Sequence, residues 1–306
     1  MPDTFTLHEA APGVHAAVSR HFGGPAVSNA AIVDLGDKTL VVDTFMTMVA
    51  ADELAEAAAN LTGRRAFLVV TSHFHGDHVG GNPSFADVPI VATRRTMELQ
   101  RARSAADAAA YGAEVDAALH AARLAVEQAE DEESEAAARL RLSMAQAMDR
   151  TRHRYALTLP DLLIEDRLVV EGSDRSVEIL ATGRGHTESD VVVHVPDAST
   201  VVAGDLVWNG VHPKTDDGFP GEWASVVASL RERGVTTVVP GHGDVTDASS
   251  LDAMEHYLRD VAGLVEAVRA GDAEPDEVDA PEGFEDWTGI DRLRTGVRIV
   301  AGRGSD

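Results

Sequence analysis

Residues 71–82 read Thr-Ser-His-Phe-His-Gly-Asp-His-Val-Gly-Gly-Asn and place His73, His75, Asp77 and His78 within one short stretch. An apolar run, residues 66–70, leads directly into it. Imidazoles and a carboxylate crowded beside a buried strand pay a desolvation penalty unless something binds them. A divalent metal ion meets that requirement, since neutral imidazole and carboxylate are ligands that zinc and related ions accept. Three further segments pair a ligand-competent residue with glycine at the end of a predicted strand. They are Gly183-Arg-Gly-His186-Thr-Glu-Ser-Asp, Ala203-Gly-Asp205-Leu-Val-Trp and Pro240-Gly-His242-Gly-Asp. Glycine-permitted turns at strand ends allow side chains from distant segments to be aimed at one point.

Together these segments resemble the metallo-β-lactamase-fold hydrolase superfamily, whose His-x-His-x-Asp-His signature residues 73–78 match in full. The resemblance spans roughly residues 13–243. It implies an α/β (α+β) fold, a four-layer αβ/βα sandwich of two mixed β-sheets flanked by helices, with the metals at one edge. It implies that His73, His75 and His186 hold a first metal, that Asp77, His78 and His242 hold a second, and that Asp205 bridges them. Asp43, at the end of its own predicted strand, matches the carboxylate that orients a ligand in this family. The implied cofactors are two divalent ions, zinc first, with iron or manganese as alternatives. A metal-bound hydroxide, accessible near neutral pH, would attack a polarised carbonyl. Asp77 would then accept or relay the proton.

The implied activity is hydrolysis of a small carbonyl substrate: an ester, lactone, thioester or β-lactam. An iron-dependent sulfur dioxygenase on the same fold is the alternative enzyme, although the complete second ligand set opposes it. A non-catalytic metal-binding scaffold, working through a helical insertion, is the alternative outside catalysis. The segment after Asp244 is acidic and short, which argues against a glyoxalase-type thioesterase. Trp208, His212 and Phe219 lie near the predicted bridging aspartate in sequence and are candidates for the substrate pocket. His194 alternates within a strand and reads as a satisfied core histidine.

The elements that must position these residues are visible in outline. Short β-rich runs are expected at 13–19, 28–35, 39–43 and 67–71, with Gly36-Asp37 as a hairpin turn and an alanine-rich helix at 51–61. Residues 94–155 form a helical insertion, either one long helix or a hairpin broken near 130–134. It acts as a lid, an edge cover or a homodimer contact. Strands return at 162–165, 167–170, 177–181, 191–195, 200–203 and 235–239, with helices at 223–233 and 251–269. Residues 271–306 read as an acidic, loose connector followed by a tail with a last short helix near 284–300. The whole, 1–306, is expected to be a single metallo-β-lactamase-fold domain.

Composition sets the outer bounds. The 306-residue chain is 44% hydrophobic, which suits a substantial core. Its net charge of −25 opposes nucleic acid and anionic membranes as partners and favours a small-molecule substrate. Cysteine is absent, which removes disulfides and thiolate ligands. Neither a signal peptide nor a membrane span is apparent, and cytoplasmic location is the expectation. Lys38 and Lys214 are the only lysines, and arginine carries the rest of the positive charge.

Overall fold

The computed structural model describes residues 2–303, so the ends of the 1–306 and 271–306 assignments lie outside the described residues. The described chain divides into two compact units. One runs to Glu165 and takes in Glu171–Ser176; the other holds Asp166–Val170 and the residues from Val177 onward.

The first unit is built on a seven-stranded sheet with its strands in sequence order. They are β1 (Phe5–Ala11), β2 (Val14–Ser19), β3 (Ala30–Asp34), β4 (Thr39–Val42), β5 (Leu68–Val70), β6 (Ile90–Thr93) and β7 (Leu162–Ile164). The first four pair antiparallel, and β4 to β7 pair parallel. Helix α1 (Met48–Thr62) connects β4 to β5 and packs Leu54 and Ala58 into a core with Ile32, Val41, Val69 and Ile90. The Thr47 hydroxyl caps its start, and Gly63, left-handed at φ 70°, ends it. The short helix α2 (Gly76–Val79) follows β5. The parallel core of this sheet matters for function, because ligands in such sheets gather beyond the carboxyl ends of the strands.

The insertion is not one helix: two helices form the expected hairpin, broken just before Glu132, and a further helix precedes them. It contains α3 (Arg94–Arg103), α4 (Ala108–Glu127) and α5 (Glu132–Thr151). Both breaks are made by aspartate caps. Asp107 accepts from the Ala109 and Ala110 amides, and Asp131 forms a reciprocal capping box with Ser134. Tyr111, Val115, Leu119, Ala145 and Met148 close around Met48, and the Tyr111 and Tyr155 rings stack at 4.0 Å.

The second unit is built on a six-stranded sheet in the order β13-β12-β11-β10-β9-β8. Its strands are β8 (Arg167–Glu171), β9 (Ser176–Gly183), β10 (Asp190–Val195), β11 (Thr200–Trp208), β12 (Thr237–His242) and β13 (Thr246–Asp247). Strands β10 and β11 are buried throughout, as central strands covered on both faces should be. Helices α6 (Pro220–Leu230), α7 (Ser249–Ala270) and α8 (Ile290–Gly302) enclose a core of Leu206, Trp223, Leu251, Tyr257, Leu258 and Leu293. The acidic connector has no helix or strand, yet it is not loose. Val278 and Phe284 are buried in that core, and Arg294 donates to the Val278 carbonyl.

Candidate metal centre

In the first unit the register of two parallel strands sets the site. Val42 on β4 lies beside Val70 on β5, and the Asp43 amide donates to the Val70 carbonyl at 2.8 Å. The residues just beyond both strands therefore meet. Asp43 is buried and accepts three hydrogen bonds: the Ser72 amide at 2.7 Å, the Ser72 hydroxyl at 2.7 Å and His78 Nδ1 at 2.7 Å. The Ser72 hydroxyl has one hydrogen, which goes to Asp43. It must therefore accept from His73 Nδ1, 2.9 Å away. One carboxylate thus holds the proton on Nδ1 of both His73 and His78, by accepting from His78 directly and from His73 through serine, and leaves each Nε2 as a lone-pair donor. That is the relation by which a neighbouring carboxylate fixes the tautomer of a metal-ligating histidine.

This arrangement holds its backbone under constraint. Asp43 has φ 61° and Phe45 φ 66°, left-handed values that cost on the order of 1–3 kcal/mol each in non-glycine residues. The loop is tied down in return. The Thr44 amide and hydroxyl donate to the His78 carbonyl, and the Gly81 amide donates to the Phe45 carbonyl. Gly80 and Gly81 permit this contact, since a Cβ there would stand 2.1 Å from the Met46 carbonyl oxygen and 2.0 Å from that of Thr44. The rings of His73 and His75 meet edge to face at 4.7 Å, and those of His73 and His78 are tilted at 48° with centroids 4.3 Å apart. His73 and His75 present donor atoms within 4.8 Å of each other, as do Asp77 and His78. Asp77 is partly exposed, with a carboxylate oxygen 3.8 Å from His78 Nε2.

The second unit reaches a comparable result by different means. Asp205 lies within β11, which continues to Trp208 and does not stop at Ala203 as expected. The pairing with β12 shifts register around Gly204, and this irregularity turns the Asp205 side chain inside the strand. Asp205 then stands between two histidines, with one oxygen 3.2 Å from His186 Nε2 and the other 3.5 Å from His242 Nε2. All three are buried. Gly241 makes room for the carboxylate, because a Cβ there would lie 2.0 Å from Asp205 Oδ1.

His186 sits in the connection from β9 to β10, which Asp190 closes by accepting from the Thr187 amide and hydroxyl. Burial pushes the Asp190 carboxyl above the usual carboxylate range, although His186 and the Thr187 donors pull it down. Two tryptophans brace the ligands. Trp208 stacks on His242 at 3.9 Å, and Trp223 meets His186 edge to face at 5.1 Å while donating its indole N–H to the Leu206 carbonyl. Ser72, Thr187, Asp190 and Trp223 were not singled out from the sequence. Of these, only the Thr-x-x-Asp spacing at 187–190 carries a local signal.

The three pocket candidates lie in different surroundings. Trp208 is buried against His242. His212 is fully buried, with Nδ1 3.0 Å from the Tyr257 hydroxyl and its ring near Trp287. Burial, aided by Arg292, holds its pKa below the usual histidine value. Phe219 lines a cavity, beneath the guanidinium of Arg184 at 3.8 Å. His194 is a buried residue with Nδ1 3.2 Å from Glu178, but its Nε2 is buried without a hydrogen-bond partner, so the expected satisfied core histidine is satisfied at one nitrogen only.

The donor chemistry fits divalent metal ions. Each unit offers buried imidazoles with a carboxylate beside them, a combination suited to zinc. Comparison with known proteins agrees. A family model described as the metallo-beta-lactamase superfamily matches residues 23–242. A curated metallo-beta-lactamase type 2 from Bacillus cereus is 23% identical over 76% of this chain and 73% of its own length. A solved metallo-beta-lactamase from Pontibacter korlensis superposes with a TM-score of 0.56 at 19% identity, over 83% of this chain and 99% of its own. The solved structure of VMB-1 gives 0.58 at 21% identity, over 84% and 98%.

The chain belongs to the metallo-β-lactamase superfamily and has its α/β sandwich fold. Members of this superfamily are mostly hydrolases, and this chain carries histidine and aspartate groups suited to a metal. Among the described residues no helix is long and apolar enough to cross a membrane.

Proposed function

We propose that the protein is a dinuclear metal-dependent hydrolase of a small carbonyl substrate. In this reading His73, His75 and His186 hold one ion, Asp77, His78 and His242 hold the other, and Asp205 contributes to both. Zinc is the ion the donor set favours. Two such ions would supply an acidified water molecule and an electrophile for the carbonyl oxygen.

The protein's own residues do the rest. Asp43 keeps His73 and His78 in the tautomer that offers Nε2, so neither ring must reorganise to bind. Asp205, fixed between His186 and His242, offers one oxygen toward each ring. Asp77, partly exposed to solvent, would take the proton that an attacking water gives up. The burial of His73, His78, His186, Asp205 and His242 limits competing water.

The observation that carries this reading is the shared anchoring of two histidines by one buried carboxylate, a construction that a purely structural polar cluster does not need. The names of the Bacillus relatives make a β-lactam one candidate, beside lactones, thioesters and aryl esters. A panel of these substrates on metal-loaded protein, with His75→Ala as control, tests the proposal. It expects at least one activity that the substitution removes. Activity equal in both proteins would mean that the metal residues are not the catalyst.

A further inference from the structure

The second unit contains a cavity of about 700 Å³ that none of the seven candidate metal ligands lines. Its size is that of a small-molecule site. Three arginines, Arg184, Arg269 and Arg303, converge on it in a chain whose net charge is −25. Like charges gathered in a recess are unfavourable unless an anion joins them. Three glutamates also line it, but two are already engaged: Arg184 pairs with Glu222 at 3.3 Å, and Arg269 with Glu266 at 2.6 Å.

Arg303 differs from the other two. Its Nη2 donates to the main-chain carbonyls of Thr215, Asp216 and Gly218, and it makes no ion pair among the described residues. Its guanidinium is therefore held in place by neutral acceptors, and the carboxylates of Asp217 and Asp216 act on it only from beyond ion-pair distance. Burial holds its pKa below the ordinary arginine value, and the charges of Arg269 and Arg184 act in the same direction against Asp217 and Asp216. The remaining wall is apolar: Phe219, lying under both Arg184 and Arg303, with Pro220, Val265 and Val300.

We propose that this cavity binds an organic monocarboxylate, its head group on Arg303 and Arg184 and its hydrocarbon body against Phe219, Val265 and Val300. A carboxylate matches the planar fork of arginine. A dianion such as phosphate suits the cavity less, because Glu188 shares the wall and only one cation lacks a carboxylate partner. The site stands apart from the metal ligands and does not depend on the hydrolase reading.

Calorimetric titration with octanoate, acetate and inorganic phosphate tests it on the full chain, as purified and after chelation. Octanoate is expected to bind one per chain, at least about tenfold more tightly than acetate or phosphate, and to survive chelation. Arg303→Gln should weaken octanoate about tenfold or more, the scale of losing a charge-assisted hydrogen bond. Arg184→Gln should weaken it less. Ala262→Trp, which fills the cavity from α7 without altering its charges, should abolish binding in a protein whose melting curve shows it folded. Octanoate affinity unchanged in Arg184→Gln and Ala262→Trp would overturn the proposal. So would octanoate binding that disappears on chelation, since the carboxylate would then be sitting on a metal.

Discussion

The first unit draws four candidate ligands from one continuous stretch, a loop running into α2, whereas the second draws three from separate segments of chain. In the first, hydrogen bonding does the positioning: Asp43 fixes Ser72 and His78, and through Ser72 it fixes His73. In the second, packing does it. Gly241 yields space to Asp205, and Trp208 and Trp223 brace His242 and His186. A contiguous motif can be oriented by one buried carboxylate because all its members are near it. Dispersed ligands have no common neighbour of that kind, so the sheet register and the shapes around it must carry the precision.

Substitutions separate the two modes. The largest effect is expected from the ligands themselves: His75→Ala and His242→Ala should each reduce turnover by more than any substitution of a supporting residue, with metal content falling in parallel. Asp43→Ala should come next, costing about 10–100-fold in metal affinity or activity, measured by competition with a chromogenic chelator. Its effect should reach His73 and His78 together.

Gly241→Ala probes the packed half. The added methyl would meet Asp205 Oδ1, and overpacking of this kind costs about 1–3 kcal/mol of stability, readable in a urea melt. Asp43→Ala and Gly241→Ala combined should be close to additive if the two halves are supported independently. Ser72→Ala should have the smallest effect. It removes only the relay to His73, worth about 0.5–1.5 kcal/mol, and leaves His78 on Asp43. A Ser72→Ala loss as large as that of Asp43→Ala would show that the relay, and not the direct bond, is the working contact.

The same contrast explains what could be read from the sequence. The loop at 73–78 was legible because its chemistry is contiguous, and the strands before it were legible as apolar runs. His186, Asp205 and His242 gained meaning only together, through their glycine contexts and the family likeness. Asp205 was placed beyond a strand that actually continues through it, since a register shift at Gly204 leaves no compositional mark. Strands β1 and β6 were overlooked for related reasons: β1 is an edge strand with a half-polar sequence, and β6 has only four residues. Within the insertion the break capped by Asp131 is legible near 130–134, whereas the one capped by Asp107 is hidden in alanine-rich sequence. Tertiary partners such as Trp223, distant in sequence from His186, have no local signature at all.

The central claim is that both ligand sets work as metal sites. Metal analysis of the purified wild-type chain beside His75→Ala and His242→Ala tests it most directly. About two zinc ions per wild-type chain are expected, and fewer in each variant. A single iron per chain, or metal content identical in all three proteins, would contradict it.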